Sequence, residues 1–193
     1  MLDYNKIIDH YYKEEENKEL RNILIVHSQM VRDLALRCCD AHPELHLDRD
    51  LVEAASMLHD IGIIRTDADG IHCFGTEHYL RHGRIGALML REDANIFGYT
   101  EEEIEPYARI CERHTGAGLT RQQIEERDLP LPHQDFLPET MEEKLVCYAD
   151  KFYSKTHLEY FKPYEKVVRS LEKFGEDGVK RFEQWHRLFC EKS

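Results

Sequence analysis

His59 and Asp60 stand side by side where an apolar helical stretch, Ala54-Ala55-Ser56-Met57-Leu58, runs into Ile61-Gly62. Neighbours inside a helix point about 100° apart and rarely serve one centre. At a helix end, with a glycine able to take the left-handed conformation, an imidazole and a carboxylate can converge. One nitrogen and one oxygen ligand suit a borderline-hard divalent metal. A His-Asp dipeptide alone is common, and its ordinary reading is a helix terminus, so a metal site needs more ligands. Twelve histidines are available. His27 falls on an apolar helical face, His82 sits in His82-Gly83-Arg84-Ile85-Gly86-Ala87, and His114 precedes Thr115-Gly116. Asp150 lies in Cys147-Tyr148-Ala149-Asp150-Lys151. Each alone reads as a core or surface residue. The order His, His-Asp, His, His, Asp, each beside an apolar segment, is poorly explained by chance.

The elements that must position these residues are helical throughout, with no clear alternating strand pattern and no internal repeat. A first helix is predicted from Asp3 to about Glu15 and a second from Lys18 to Ala41, stopped by Pro43. Asp48 or Asp50 caps a third, which ends at the doublet. Residues 61–76 read as a loop near the site. A fourth helix is expected from about Glu77 to Arg91, with Gly83 and Gly86 permitting close helix approach. Thr100 and Glu103 form a capping-box pattern for a fifth, which ends near His114. A short helix follows Thr120, another runs from Glu139 to about Lys155, and two amphipathic helices cover 164–174 and 177–190. The fold class is all-α: one domain over residues 1–193, with a core at about 18–155. Phe174, Phe182, Trp185 and Phe189 of the last helices either finish the core or form a homodimer face.

Composition bounds the partners. Hydrophobic residues make up 41% and charged residues 33% of the 193-residue chain, as in globular domains. No apolar run nears the ~20 residues that span a bilayer, and the first residues lack a secretory pattern, so no membrane partner and a cytoplasmic location are expected. A net charge of −12, spread along the chain, opposes a nucleic-acid polymer as partner. It leaves room for a small anion at a locally positive site. Six cysteines without Cys-x-x-Cys spacing read as reduced thiols.

The ligand order and His59-Asp60-Ile61-Gly62 resemble the HD superfamily of metal-dependent phosphohydrolases, over about residues 18–155. His114-Thr115-Gly116-Ala117-Gly118 and Leu137-Pro138-Glu139-Thr140-Met141-Glu142-Glu143-Lys144 look like one of its small uncharacterised subfamilies. The resemblance implies that His27, His59, Asp60 and Asp150 ligate one metal. It also implies that His82 and His114 add a second, bridged by Asp60. Iron, manganese, zinc, nickel, cobalt or magnesium could fill such sites. Two divalent ions facing two carboxylates leave a net positive centre suited to phosphate and to an activated water. The expected substrate is a small phosphomonoester or nucleotide. A mixed-valence di-iron oxygenase on a small polar substrate is the alternative, and a non-catalytic ligand-binding domain the third reading.

Arg65 and Lys151 follow the two acidic ligands closely enough to hold a phosphate, or else are solvated cations at helix ends. His78, four residues before His82, could protonate a leaving group, against the plainer reading of a surface group. Glu77 is a weaker acid/base candidate. His72 stays ambiguous. His10, His42, His46, His133, His157 and His186 read as surface residues.

Overall fold

The computed structural model describes residues 2–190, and the chain is predominantly helical. Helix α1 (Tyr4–Tyr11) is capped by Asp3, whose carboxylate accepts from the Lys6 amide. It stops a turn short of the expected Glu15, because residues 15–17 form a separate 3₁₀ turn. Helix α2 (Lys18–Ala41) has the expected bounds and places His27 among its buried residues. Helix α3 (Arg49–Leu58) is capped by Asp48, which accepts from Leu51 N, rather than by Asp50.

The chain does not take a left-handed turn at Gly62. It tightens into a 3₁₀ segment, Ile61–Arg65, tied down by the buried Tyr12 hydroxyl donating to Ile61 O at 2.9 Å. The expected loop then holds three strands: β1 (Thr66–Ala68), β2 (Cys73–Phe74) and β3 (Glu77–His78). β1 is central, antiparallel to β2 and parallel to β3. Strands of two or three residues are too short to leave an alternating pattern.

Helix α4 (His82–Glu92) begins five residues later than expected, after a 3₁₀ turn at Tyr79–Arg81. Its glycines permit tight seating on both sides. A Cβ at Gly62 would lie 2.3 Å from both Gly86 N and His82 O, and one at Gly83 would lie 2.4 Å from Cys111 O. Helix α4 is thereby wedged between the 61–65 turn and a helix beyond it. After α5 (Ala94–Phe97) comes that helix, α6 (Glu101–Arg113), opened by the expected Thr100–Glu103 capping box. Helix α7 (Arg121–Glu126) carries a second box, from Thr120 and Gln123.

Helix α8 (Met141–Asp150) starts at the Thr140 cap and ends at the site residue Asp150, earlier than the expected Lys155. The buried Glu143 accepts from Arg109 Nε at 2.7 Å, which fastens α8 to α6. Helices α9 (Tyr164–Glu172) and α10 (Glu176–Phe189) close the chain. Phe182, Trp185 and Phe189 are buried in the core shared with α8. Arg181 reaches back to donate to Ala117 O and Gly118 O, at 2.8 and 2.9 Å.

The core has two main parts, one around α1, α3, α4 and α6 and one around the end of α2, α8, α9 and α10. All six cysteines are free thiols, and no helix among the described residues is long and apolar enough to cross a membrane.

Candidate metal centre

The six residues of the ligand order come together in the interior. His27, His59, Asp60, His82, His114 and Asp150 are all buried, from helix α2, the end of α3, the start of α4, the end of α6 and the end of α8. They form two groups whose ligand atoms lie within 4.8 Å of one another: His27, His59, Asp60 and Asp150, and Asp60, His82 and His114. Asp60 belongs to both. Its Oδ2 is 3.2 Å from His27 Nε2 and 3.0 Å from His59 Nε2, while its Oδ1 faces His82 Nε2 at 3.3 Å and His114 Nε2 at 3.4 Å. Asp150 Oδ1 lies 3.0 Å from His27 Nε2 and 3.4 Å from His59 Nε2.

Helix ends set the tautomers. His59, His82 and His114 each donate Nδ1–H to the carbonyl three residues back: Ser56 O at 2.7 Å, Tyr79 O at 2.6 Å and Cys111 O at 2.7 Å. Ser56 and Cys111 lie in the last turns of α3 and α6, where carbonyls lack their regular partner, whereas Tyr79 O also accepts the His82 amide across the 3₁₀ turn. With Nδ1 committed, Nε2 of the neutral ring presents a lone pair.

The centre then fits a cation better than a proton network. His82 Nε2 and His114 Nε2 lie 2.9 Å apart, two lone pairs that repel unless something positive lies between them. An ion within about 2.1 Å of both nitrogens would relieve that repulsion. His59 Nε2 and Asp60 Oδ1 are buried without an aligned hydrogen bond, an arrangement rare in protein interiors unless a ligand completes it.

Charge is arranged to match. Burial opposes ionisation of both aspartates, yet their surroundings hold both carboxyls well below the usual range. For Asp60 the main stabilisers are His59 and Lys155, and for Asp150 Lys151 and His27. Burial works against a charge on His59 as well, but Asp60 and Asp150 push its pKa up to about 9. Burial, with the neighbouring His82 and His59, brings His114 down to about 4, so its imidazole is neutral at pH 7.

These shifts have signs that can be checked on chelator-treated protein. His59, raised from 6.5, contributes stability that is complete below about pH 6.5 and is lost as pH rises through about 9. Asp60 and Asp150, lowered from 3.8, contribute stability present above about pH 4 and lost on further acidification. The midpoint of thermal unfolding should therefore fall between about pH 6.5 and 9. A midpoint that climbs across that window would contradict the assignment.

A cavity of about 500 Å³ opens onto the centre, lined by His82, His114 and Asp150 together with Lys151, Lys155, Lys162 and Lys173. Lys151 donates to Asp150 Oδ2 at 2.5 Å and to His114 O at 2.8 Å. Sequence reasoning missed Lys155, whose Nζ pairs with Asp60 Oδ2 at 2.6 Å. The one available signal was its place four residues after Lys151. Tyr79, also missed, stacks on His82 at 4.7 Å between ring centroids.

Two candidates stand elsewhere. Arg65 is exposed at the end of the 61–65 turn, within electrostatic reach of Tyr11 and outside the cavity lining. His78 does not share a helical face with His82, because α4 has not yet begun. It is exposed, and its Nδ1 caps the 79–81 turn by accepting from Leu80 N at 3.1 Å. Glu77 is paired with Arg81. Exposed His72 has φ +59° and lines a shallower groove nearby. Of the histidines taken as surface groups, His42 is instead buried, 3.1 Å from Cys190 O, and His186 is half-buried against the Tyr148 hydroxyl.

The HD-domain family model matches residues 24–154, and the chain belongs to that family. Among curated relatives, a tRNA (cytidine(56)-2′-O)-methyltransferase of Picrophilus torridus is 33% identical over 163 residues, 81% of this chain and 41% of that protein. An uncharacterised protein of Methanocaldococcus jannaschii is 41% identical over 104 residues, 54% of this chain and 49% of that protein. A ribonuclease Y of Chlorobium luteolum is 32% identical over 98 residues, 51% of this chain and 18% of that protein. The matched stretch spans less than half of each of these relatives. No solved structure matches the chain.

Proposed function

We propose that this protein is a metal-dependent phosphohydrolase acting on a small phosphomonoester or nucleotide. The observation that carries the reading is the position of Asp60: one oxygen faces His27 and His59, the other His82 and His114, beside a cavity lined by lysines. His27, His59, Asp60 and Asp150 would hold one divalent ion, and Asp60, His82 and His114 a second. Such ions, when bound, act as Lewis acids toward phosphoryl oxygens and lower the pKa of water.

The chain's own side chains would do the rest. Lys151 and Lys155 offset the two carboxylates and present ammonium groups to an incoming phosphate. Tyr79 holds the His82 ring in place by stacking, and its carbonyl fixes that ring's tautomer. The burial of the ligands keeps bulk water from screening the centre.

The methyl transfer named for the Picrophilus torridus relative, and for one of Thermoplasma volcanium that is 32% identical over 166 residues, is a property of those longer proteins. More than half of each lies outside the match, and we assign the methyl transfer to that remainder rather than to the shared part.

Metal analysis of the purified protein, paired with a phosphate-release screen over nucleotides and sugar phosphates, tests the reading. Two ions per chain and oxygen-independent phosphate release are expected. Turnover that requires iron and oxygen would overturn it in favour of the oxygenase reading.

Lys155 supplies a separate check. With no ammonium competing for Asp60, a Lys155→Met variant should bind manganese about tenfold more tightly. It should also release phosphate about a hundredfold more slowly, from loss of a cation at the transferring group. Metal titration and steady-state kinetics read the two effects, and unchanged values for both would remove Lys155 from the site.

A further inference from the structure

The cavity holds more positive charge than the metal centre accounts for. Four lysines line it together with the carboxylate of Asp150, and Asp60 lies buried behind. Lys155 is paired with Asp60 and Lys151 with Asp150. Among the described residues no carboxylate forms an ion pair with Lys162 or Lys173, and Asp150 attracts Lys162 only at longer range. The half-buried Lys162 donates to two backbone carbonyls instead, Tyr153 O at 2.9 Å and Lys151 O at 3.3 Å. Lys173 lies 4.9 Å over the ring of Phe174. Burial brings the Lys162 pKa down, and the like charges of Lys151, Lys155 and Lys173 add to this while Asp150 opposes it. In a chain of net charge −12, gathering cations that repel one another into one cleft costs stability unless a ligand repays it.

Lys162 and Lys173 also stand outside the two ligand groups. Lys162 precedes α9, and Lys173 follows it beside Leu171 and Phe174, which give this part of the cleft an apolar surface. Phe174 packs over Gly116, two residues past His114. A volume of about 500 Å³ is ample for a ligand the size of a nucleotide.

Building on the phosphohydrolase reading, we propose that Lys162 and Lys173 form a second anion subsite. The substrate class is then a small organic phosphate with two anionic groups. One phosphoryl group lies at the His-Asp centre and the second anionic group at Lys162 and Lys173. An apolar portion between them runs along Leu171 and Phe174. The ammonium groups bind and orient this second anion and take no part in bond cleavage.

Phosphonates make suitable probes, because their carbon–phosphorus bond presents no ester to hydrolyse. Calorimetric titration of the manganese-loaded protein compares an alkylphosphonate with the alkane-diphosphonate of the same chain, over a short series of chain lengths. At the best length the diphosphonate should bind at least about tenfold more tightly, the worth of one charge-assisted contact. Lys173→Gln, at an exposed position, should remove most of that preference and leave the monophosphonate affinity within about twofold. Lys162→Gln should do the same, with thermal unfolding as a control for its two lost carbonyl contacts. Equal binding of the two probes by the wild type, or a preference that survives both substitutions, would overturn the subsite alone. Binding of neither probe would overturn the phosphate reading together with it.

Discussion

An Asp60→Ala variant is expected to lose both proposed ions and, with them, phosphate release by on the order of a thousandfold, about 4 kcal/mol of barrier. No other side chain is shared by the two ligand groups, so no other single substitution should empty both. The stability of the variant gives a second, less obvious readout. Removing a ligand carboxylate from a metal site often relieves charge repulsion in the metal-free protein. Here the opposite is expected, because Asp60 is also the counterion of Lys155 and the main stabiliser of charge on His59. Both would be left in the interior without it, at a cost of about 3 kcal/mol. Elemental analysis and thermal unfolding of chelator-treated protein check the two effects. Two ions retained per chain would dispose of the bridging role, and an unchanged unfolding midpoint would dispose of the counterion role.

Gly62→Ala should damage the centre without touching a ligand. The added methyl would sit 2.3 Å from Gly86 N and His82 O, both backbone atoms of α4, with no flexible side chain to give way. Helix α4 must move off the 61–65 turn, and His82 begins that helix. Forced overpacking costs about 1–3 kcal/mol in ordinary cores and more against backbone. Separation of His82 Nε2 from His114 Nε2 and Asp60 Oδ1 should leave the His27, His59, Asp60 and Asp150 group better preserved. The expected result is one bound ion per chain, with a lowered unfolding midpoint. A variant with two ions and wild-type stability would show that the close approach has no consequence.

Much of this was legible in the sequence because the signals were local. Residues 18–41 carry an uninterrupted helical period before Pro43, and the observed helix has those ends. Thr100 and Glu103 announced α6 through hydrogen bonds that both partners make. The ligand order was readable because each member sits beside an apolar segment and so had to face inward. What stayed hidden depends on tertiary placement. His78 looked helical with His82, but residues 77–78 pair with β1 and the next three form a 3₁₀ turn. Arg65 stood close to Asp60 in sequence, yet the intervening 3₁₀ segment leaves it on the surface. Lys155, Lys162 and Lys173 resemble any other lysines in a chain with 26 basic residues. Only the fold of 151–174 back over the site separates them from solvated cations.

That fold-back divides the labour along the chain. All six proposed ligands lie within residues 24–154, the stretch matched to the family. Part of the cavity lining, including Lys162, Leu171, Lys173 and Phe174, comes from beyond it, and Arg181 clips α10 to the turn that follows His114. Under the proposed subsite, substitutions in this later segment would change what the cleft accepts without replacing any proposed ligand. In the proposed reading, reaction and selectivity are thus open to independent variation along one short chain.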